Sequence, residues 1–150
     1  MKMKKSIKYI LFAGIAGIVV AGSIGLYMYF MPHRDVQGED AAYTVEADQF
    51  VNEFMENPTE SNAKYLDNVV LVSGTVAEIS EDQLKQKVVV LKTENSGVSC
   101  TFIETTNANA EKLSVGDAVK IKGIVRMGAS YDEDLDLAEY AILEKCDIIK

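Results

Sequence analysis

The sequence is poor in almost every group that catalysis uses. In 150 residues it has one histidine, His33, no tryptophan, and only two cysteines, Cys100 and Cys146. A Cys-His nucleophile pair needs a histidine beside the thiol, and His33 sits in a polar stretch far along the chain from both cysteines, which argues against covalent catalysis. Two cysteines with no histidine near them do not make a four-ligand zinc site. No Gly-rich phosphate loop and no Ser-His-Asp set is present, so the chain reads as a non-enzyme without a cofactor. Cations are scarce as well: beyond residue 40 there are ten Lys or Arg against twenty Asp or Glu, net -10. A field of that sign repels phosphate backbones and anionic membrane surfaces.

What the chain does have, first, is one long apolar run. Tyr9 to Met31 is unbroken except for Ser23 and covers twenty-three residues, about 34 Å as a helix and enough for one bilayer crossing. A cleaved signal peptide would have an apolar core of about 7 to 15 residues before its small-x-small site. Cutting at Ala21-Gly22-Ser23 would leave an apolar new terminus, so an uncleaved signal-anchor is the reading. Residues 1–8 form a basic tail with Lys2, Lys4, Lys5 and Lys8, while only His33 and Arg34 follow the run closely. The positive-inside bias puts the tail in the cytoplasm and the rest outside it, in the periplasm if the source is a bacterium with two membranes. Ala13, Gly17, Ala21 and Gly25 recur every four residues, a ridge on which two copies of the helix could pack as a homodimer. The general abundance of Gly and Ala in membrane helices accounts for the same spacing.

Residues 32–43 carry Pro, Gly, Asp, Gln and Glu with no apolar period and read as a flexible linker. From Thr44 a helical period begins: Val45, Phe50, Val51, Phe54 and Met55 share a face, with Thr44 as the expected N-cap. Asn57-Pro58-Thr59-Glu60 starts a second short helix that turns Tyr65 and Leu66 inward, and the pair reads as a lid. Strands are expected at Val69 to Ser80, interrupted by Gly74 where the backbone can bend or bulge, and at Lys87 to Thr93 and Val98 to Ile103. After a short helix over 107–113, a strand follows at Ala118 to Met127, with Gly123 in the inward register and Lys120, Lys122 and Arg126 facing out. An acidic loop over 128–139 leads to the last strand, Ala141 to Ile149.

Five strands with a helix between the third and fourth is the order of an OB barrel. The fold class is therefore mainly β: a five-stranded OB-fold barrel preceded by two short helices, with an N-terminal transmembrane helix, the folded part spanning 44–150. Lys64-Tyr65, Val72-Ser73-Gly74-Thr75-Val76, Ser99-Cys100-Thr101-Phe102, Val115 to Gly123 and Leu143-Glu144-Lys145-Cys146 together resemble the tRNA_anti-like family of bacterial OB-fold proteins, over about residues 45–150. The resemblance implies a barrel carried behind a membrane or export segment in the bacterial inner membrane. It brings no catalytic or ligand residues with it.

Four sets of residues are candidates for chemistry. Cys100 and Cys146 fall on strands that neighbour each other in an OB barrel, so they could form a disulfide outside the cytoplasm, stabilising by about 4 kcal/mol; two buried thiols packing as small hydrophobes is the alternative. Asp132, Asp134 and Asp136 have the alternate spacing that opens a calcium loop, but the turn glycine and closing glutamate of such a loop are replaced by Leu137 and Leu143, and a solvated acidic loop explains them too. Lys85, Lys87, Lys120, Lys122 and Arg126, with Lys92 and Tyr131, could form a basic ligand surface for single-stranded nucleic acid; alternating cations are equally the wet face of a strand, and the charge balance favours that. The leading reading is an anchored module that binds a protein, peptide or glycan through the second and third barrel strands and their flanking loops. A nucleic-acid binder and a structural component of an envelope complex are the alternatives.

Overall fold

A computed structural model describes residues 5–30 and 36–149, and they belong to two units that divide at Asp35 and Val36. The first unit is a single helix, α1 (Lys5–Phe30), whose described side chains are all exposed. It starts four residues before the apolar run, and Ser6–Phe30 is long and apolar enough to cross a membrane. Its one polar interior side chain, Ser23, donates from Oγ to the Val19 carbonyl at 2.7 Å, the local bond that lets a hydroxyl sit in a helix without an outside partner. A Cβ added at Gly17 or Gly25 would meet nothing within 4 Å, so the small-residue ridge is open. Lys2 and Lys4 of the basic tail, Met31 of the span and Pro32, His33 and Arg34 of the linker lie outside the described residues.

The second unit comprises β1 (Tyr43–Glu46), α2 (Ala47–Glu56), α3 (Pro58–Tyr65), β2 (Val69–Glu81), β3 (Lys87–Lys92), β4 (Gly97–Phe102), α4 (Asn107–Ala110), β5 (Ala118–Met127), β6 (Ser130–Asp132), β7 (Leu137–Glu139) and β8 (Ala141–Ile149). The strand order β1-β2-β3-β4-β8-β5 closes through β2 and β5. This is the closed five-stranded barrel of an OB fold, with the parallel β4–β8 pair completing it.

Closure depends on β2 serving two partners on different stretches. Val69 to Thr75 pair with β5, and Val76 to Glu81 pair with β3, with the irregularity between Val76 and Glu78. The bulge therefore lies beyond Gly74, and the glycine has another purpose. A Cβ at residue 74 would stand 3.1 Å from the Ala47 Cβ and 3.4 Å from Leu91. Glycine is there to let the start of α2 approach the strand.

Helix α2 buries Ala47, Phe50, Val51 and Phe54 on one side. Phe50, Phe54 and Tyr65 meet edge-on or tilted, with centroids 5.1 to 5.7 Å apart, so the two helices add a set of aromatic rings to the core cluster of the barrel. Aromatic pairs in this geometry add about 0.5–1.5 kcal/mol each beyond the area they bury. The start of α2 differs from the expectation at Thr44. Tyr43 to Glu46 pair parallel with Val70 to Ser73 as an extra strand, and the helix begins at Ala47. Asn57 does not cap α3 through its side chain; its amide donates to Glu60 Oε2 at 2.7 Å instead.

The described part of the linker is also folded. Val36 is buried against Val69 and Ile124, the Ala42 amide donates to the Val69 carbonyl at 2.8 Å, and Gln37 Nε2 donates to Asp147 at 3.0 Å. The Lys122 ammonium donates to the carbonyls of Gln37 and Glu39 at 3.1 and 2.8 Å. Residues 36–42 are thus a strap bound to the outside of the barrel, which corrects the flexible reading for this stretch.

Candidate ligand face

In β3 and β4 the side chains of Val89, Leu91, Val98, Cys100 and Phe102 are fully buried. By alternation, Val88, Val90, Ser99 and Thr101 form the outer surface. The register sets Val88 opposite Thr101 and Val90 opposite Ser99, continues to Ile142 of β8 on one side, and reaches Glu78 and Ser80 of β2 on the other. The Tyr140 ring lies over Gly97, where an added Cβ would come within 3.2 Å of it and of Val90. The result is a surface of small aliphatic and hydroxyl groups bordered by a tyrosine, with Glu78 at its β2 edge and Lys92 at the end of β3.

Two loops frame it. In the β2–β3 connection Asp82 Oδ1 accepts the amides of Leu84 and Gln86 at 2.8 and 2.9 Å, and Asn107 of α4 binds the Lys87 amide and the Lys85 carbonyl, both at 2.9 Å. On the other side the acidic segment 128–140 holds the short β6–β7 hairpin. Ser96 Oγ ties the β3–β4 turn to it through the Glu139 carbonyl at 2.9 Å, and the Tyr131 hydroxyl donates to Asp136. That bond holds the Tyr131 phenol above its ordinary pKa.

The cations predicted as a ligand surface are scattered and mostly engaged. Lys87 pairs with Glu81 at 2.9 Å, which raises its pKa. Arg126 bridges Asp67 at 2.8 Å and Glu144 at 3.0 Å. Lys122 corrects the expectation outright: its register points away from the barrel interior as predicted, but the strap covers it and the residue is only 8% exposed. Strand β5, which carries Lys120, Lys122 and Arg126, pairs with β2 and β8 and not with β3 or β4. Lys85 is exposed in the β2–β3 loop. Lys120 and Lys92 border a separate cavity of about 640 Å³ beside Gly74, shared with Glu46 and Asp48; no local pattern signals it, because it arises where the junction of β1 and α2 meets β2 and β5.

Cys100 and Cys146 are both fully buried and stand as free thiols. Register places Phe102 opposite Cys146, with an irregularity after Cys100. Lys145, at φ 53°, occupies the bulge and allows Leu143 and Cys146 both to point inward. Burial, then a hydrogen bond with Cys100, pushes the Cys146 thiol well above its usual pKa. The acidic triplet does not converge. Asp132 accepts the amides of Asp134 and Leu135 at 3.0 and 3.1 Å, and Asp136 takes the Tyr131 hydroxyl. Among the described residues no group of three or more carboxylate, thiol or imidazole side chains is placed to hold a metal.

The strongest charge network lies on the helices and was not foreseen. Glu53 accepts from Tyr65 Oη at 2.7 Å, Lys64 Nζ at 3.0 Å and Gln49 Nε2 at 2.9 Å. Burial alone would raise the Glu53 pKa, but these three donors together hold it below the ordinary carboxylate value. The Lys64 ammonium also sits 4.5 Å from the Tyr65 ring centroid.

Comparison with known proteins agrees with this architecture. Among curated proteins no sequence match is found. A crystal structure from Klebsiella pneumoniae, described as a "putative nucleic acid-binding lipoprotein", aligns with a TM-score of 0.56 at 20% identity, covering 79% of this chain and 99% of that one. A structure described as a "putative aspartyl-tRNA synthetase" from Leishmania major aligns over 79% of this chain and 22% of its own, at 12% identity and a TM-score of 0.45. At these identities the first likeness shows the fold alone, and the second carries no argument. The tRNA_anti-like family model matches residues 1–134, which takes in α1 and stops before β7, so the Leu143 to Cys146 stretch falls outside the match. The chain belongs to the tRNA_anti-like family.

Proposed function

We propose that the chain is a binding module, not an enzyme, held by α1 in the bacterial cytoplasmic membrane with its OB barrel outside the cytoplasm, and that it binds a protein or peptide across β3 and β4. The uncharged centre of the outer face of those strands carries the reading. Val88, Val90, Ser99 and Thr101 offer van der Waals contact and hydroxyl hydrogen bonds but no cation for a phosphate backbone. The lysines ahead of α1, with few cations after it, support the orientation. A photo-crosslinking residue at Ser99 of the full chain, activated in membranes, should capture a discrete partner, and alkaline phosphatase fused after Lys150 should be active. No crosslinked product, or an inactive fusion, contradicts the reading.

A second reading, single-stranded nucleic-acid binding, draws on the description of the Klebsiella protein and on Lys92 and Lys120 at the cavity beside Gly74. The net -10 beyond residue 40 and the ion pairs at Lys87 and Arg126 weigh against it. Gel shifts with single-stranded DNA and RNA at low salt, where such binding is strongest, decide between the two.

A further inference from the structure

A groove of about 630 Å³ runs between the end of α2, the start of α3, the β3–β4 turn and the β6–β7 hairpin. Phe54, Met55 and Pro58 line it from the helices, Asn95 from the β3–β4 turn, and Ser130, Tyr131 and Glu133 from the hairpin. Gly128 makes the arrangement possible: a Cβ there would run into the Phe54 ring, so only glycine lets the hairpin leave β5 this close to α2.

The groove joins two properties. Its apolar side continues onto a hairpin that leaves Tyr131, Leu135, Leu137 and Tyr140 exposed at 45 to 71%. Exposed apolar surface concentrated on one short segment marks an interaction site more often than isolated residues do. Its charge is also of a single sign. Residues 47–56, 93–97 and 128–140 hold three, one and five acids, nine in all, and no Lys or Arg. The nearest cation on α3, Lys64, is already paired with Glu53. An anionic lipid surface or a nucleic acid would meet repulsion here, and a neutral glycan would leave the carboxylates unanswered. A polypeptide segment with Lys or Arg beside an apolar side chain answers both properties.

We propose that this groove docks a basic, amphipathic segment of a partner polypeptide, an apolar side chain entering between Met55 and Tyr131 and its neighbouring cations facing Glu133 and the hairpin acids. The proposal rests on the reading of the chain as a protein-binding module and names the chemistry of the partner. The test uses the full chain in a neutral detergent and fluorescence anisotropy with a labelled nonapeptide of Lys and Ala around one central Leu, set against the same peptide with Glu in place of Lys. The Lys peptide should bind and the Glu peptide should not, and binding should weaken as salt rises. Glu133→Lys and Tyr131→Ala should each weaken it roughly tenfold or more. Glu104→Lys, the same charge change at the far end of β4, should alter it less than twofold. Absence of binding by the Lys peptide, or equal losses from Glu133→Lys and Glu104→Lys in variants that melt like the parent, overturns the proposal. A partner captured from Ser99 while the Lys peptide fails removes the groove but leaves the module; failure of both removes both.

Discussion

Substituting Gly123 tests the packing between β5 and β8. A Cβ at this position would lie 2.6 Å from Cys146 Sγ and 3.2 Å from both the Glu144 carbonyl oxygen and the Leu143 Cβ. A carbon and a sulfur rest near 3.7 Å, so the overlap is about 1 Å, and the sulfur has nowhere to go because Cys146 is fully enclosed. Overpacking of this size costs about 1–3 kcal/mol. Against it stands the lower chain entropy of alanine in the unfolded state, worth about 0.4–1 kcal/mol where the native backbone suits both residues. Gly123→Ala should therefore lose about 1–2 kcal/mol, a fall in Tm of about 4–8 °C for a unit of this size. Cys146→Ala removes the sulfur and by itself should cost about 1 kcal/mol, as for other methyl-sized deletions in cores. In that background Gly123→Ala should become neutral, giving a coupling of about 1–2 kcal/mol. Urea unfolding of the full chain in detergent, followed by the near-ultraviolet signal of buried Tyr65, supplies all four corners of the cycle. Equal cost of Gly123→Ala in both backgrounds would refute the reasoning and shift the constraint to the Glu144 carbonyl.

Lys122→Met keeps the aliphatic stem but loses both bonds to the strap; it should cost about 2 kcal/mol, the worth of hydrogen bonds from a charged donor, and hydrogen exchange should rise at 37–42 while the barrel stays protected. Unchanged exchange there would mean that Val36 and the Ala42 amide suffice. Glu53 has a folded-state pKa below its unfolded one, so its contribution is complete above the unfolded value near 4.3 and is lost as pH falls through the folded value. Melts between pH 7 and pH 3 should decline less steeply for Glu53→Gln than for the parent; parallel declines would contradict the network. Native protein should resist iodoacetamide at Cys100 and Cys146, since burial closes access and keeps the Cys146 thiol protonated. Rapid alkylation without denaturant would count against the packed pair. Gly74→Val should lower stability by about 2–3 kcal/mol through contact with Ala47, and an unchanged melting temperature would show that α2 yields.

Much of the barrel is written in local patterns. Ala141 to Ile149 matches β8 end to end, and Val98, Cys100 and Phe102 point inward as alternation requires. The arrangement that places Gly74 against Ala47 was not legible, because it depends on a helix that arrives from another part of the chain. Lys122 shows the same limit from the other side. Its register reveals which way the side chain leaves the strand, but its burial is decided by carbonyls at residues 37 and 39, more than eighty positions away. Strand β1 was missed for a related reason: Tyr43 to Glu46 is too short to show a period of its own and exists only by pairing with β2. The candidate groove was partly legible, since the acids and tyrosines of 128–140 are visible in the text, but Met55 and Pro58 read only as helix residues until the hairpin folds over beside them.

The strap also governs how the barrel unit would respond to mechanical tension. A pull applied at Val36 meets one buried valine, the Gln37 bond to Asp147, the two carbonyl bonds of Lys122 and the Ala42 amide before any force reaches β1. These contacts would release one after another, freeing seven residues whose extended contour is about 24 Å at up to about 3.4 Å each, and the chain would lengthen by that contour less the span the strap already covers. The strap would thus act as a shock absorber, giving way while β2, the strand through which the barrel closes, keeps its pairings with β3 and β5.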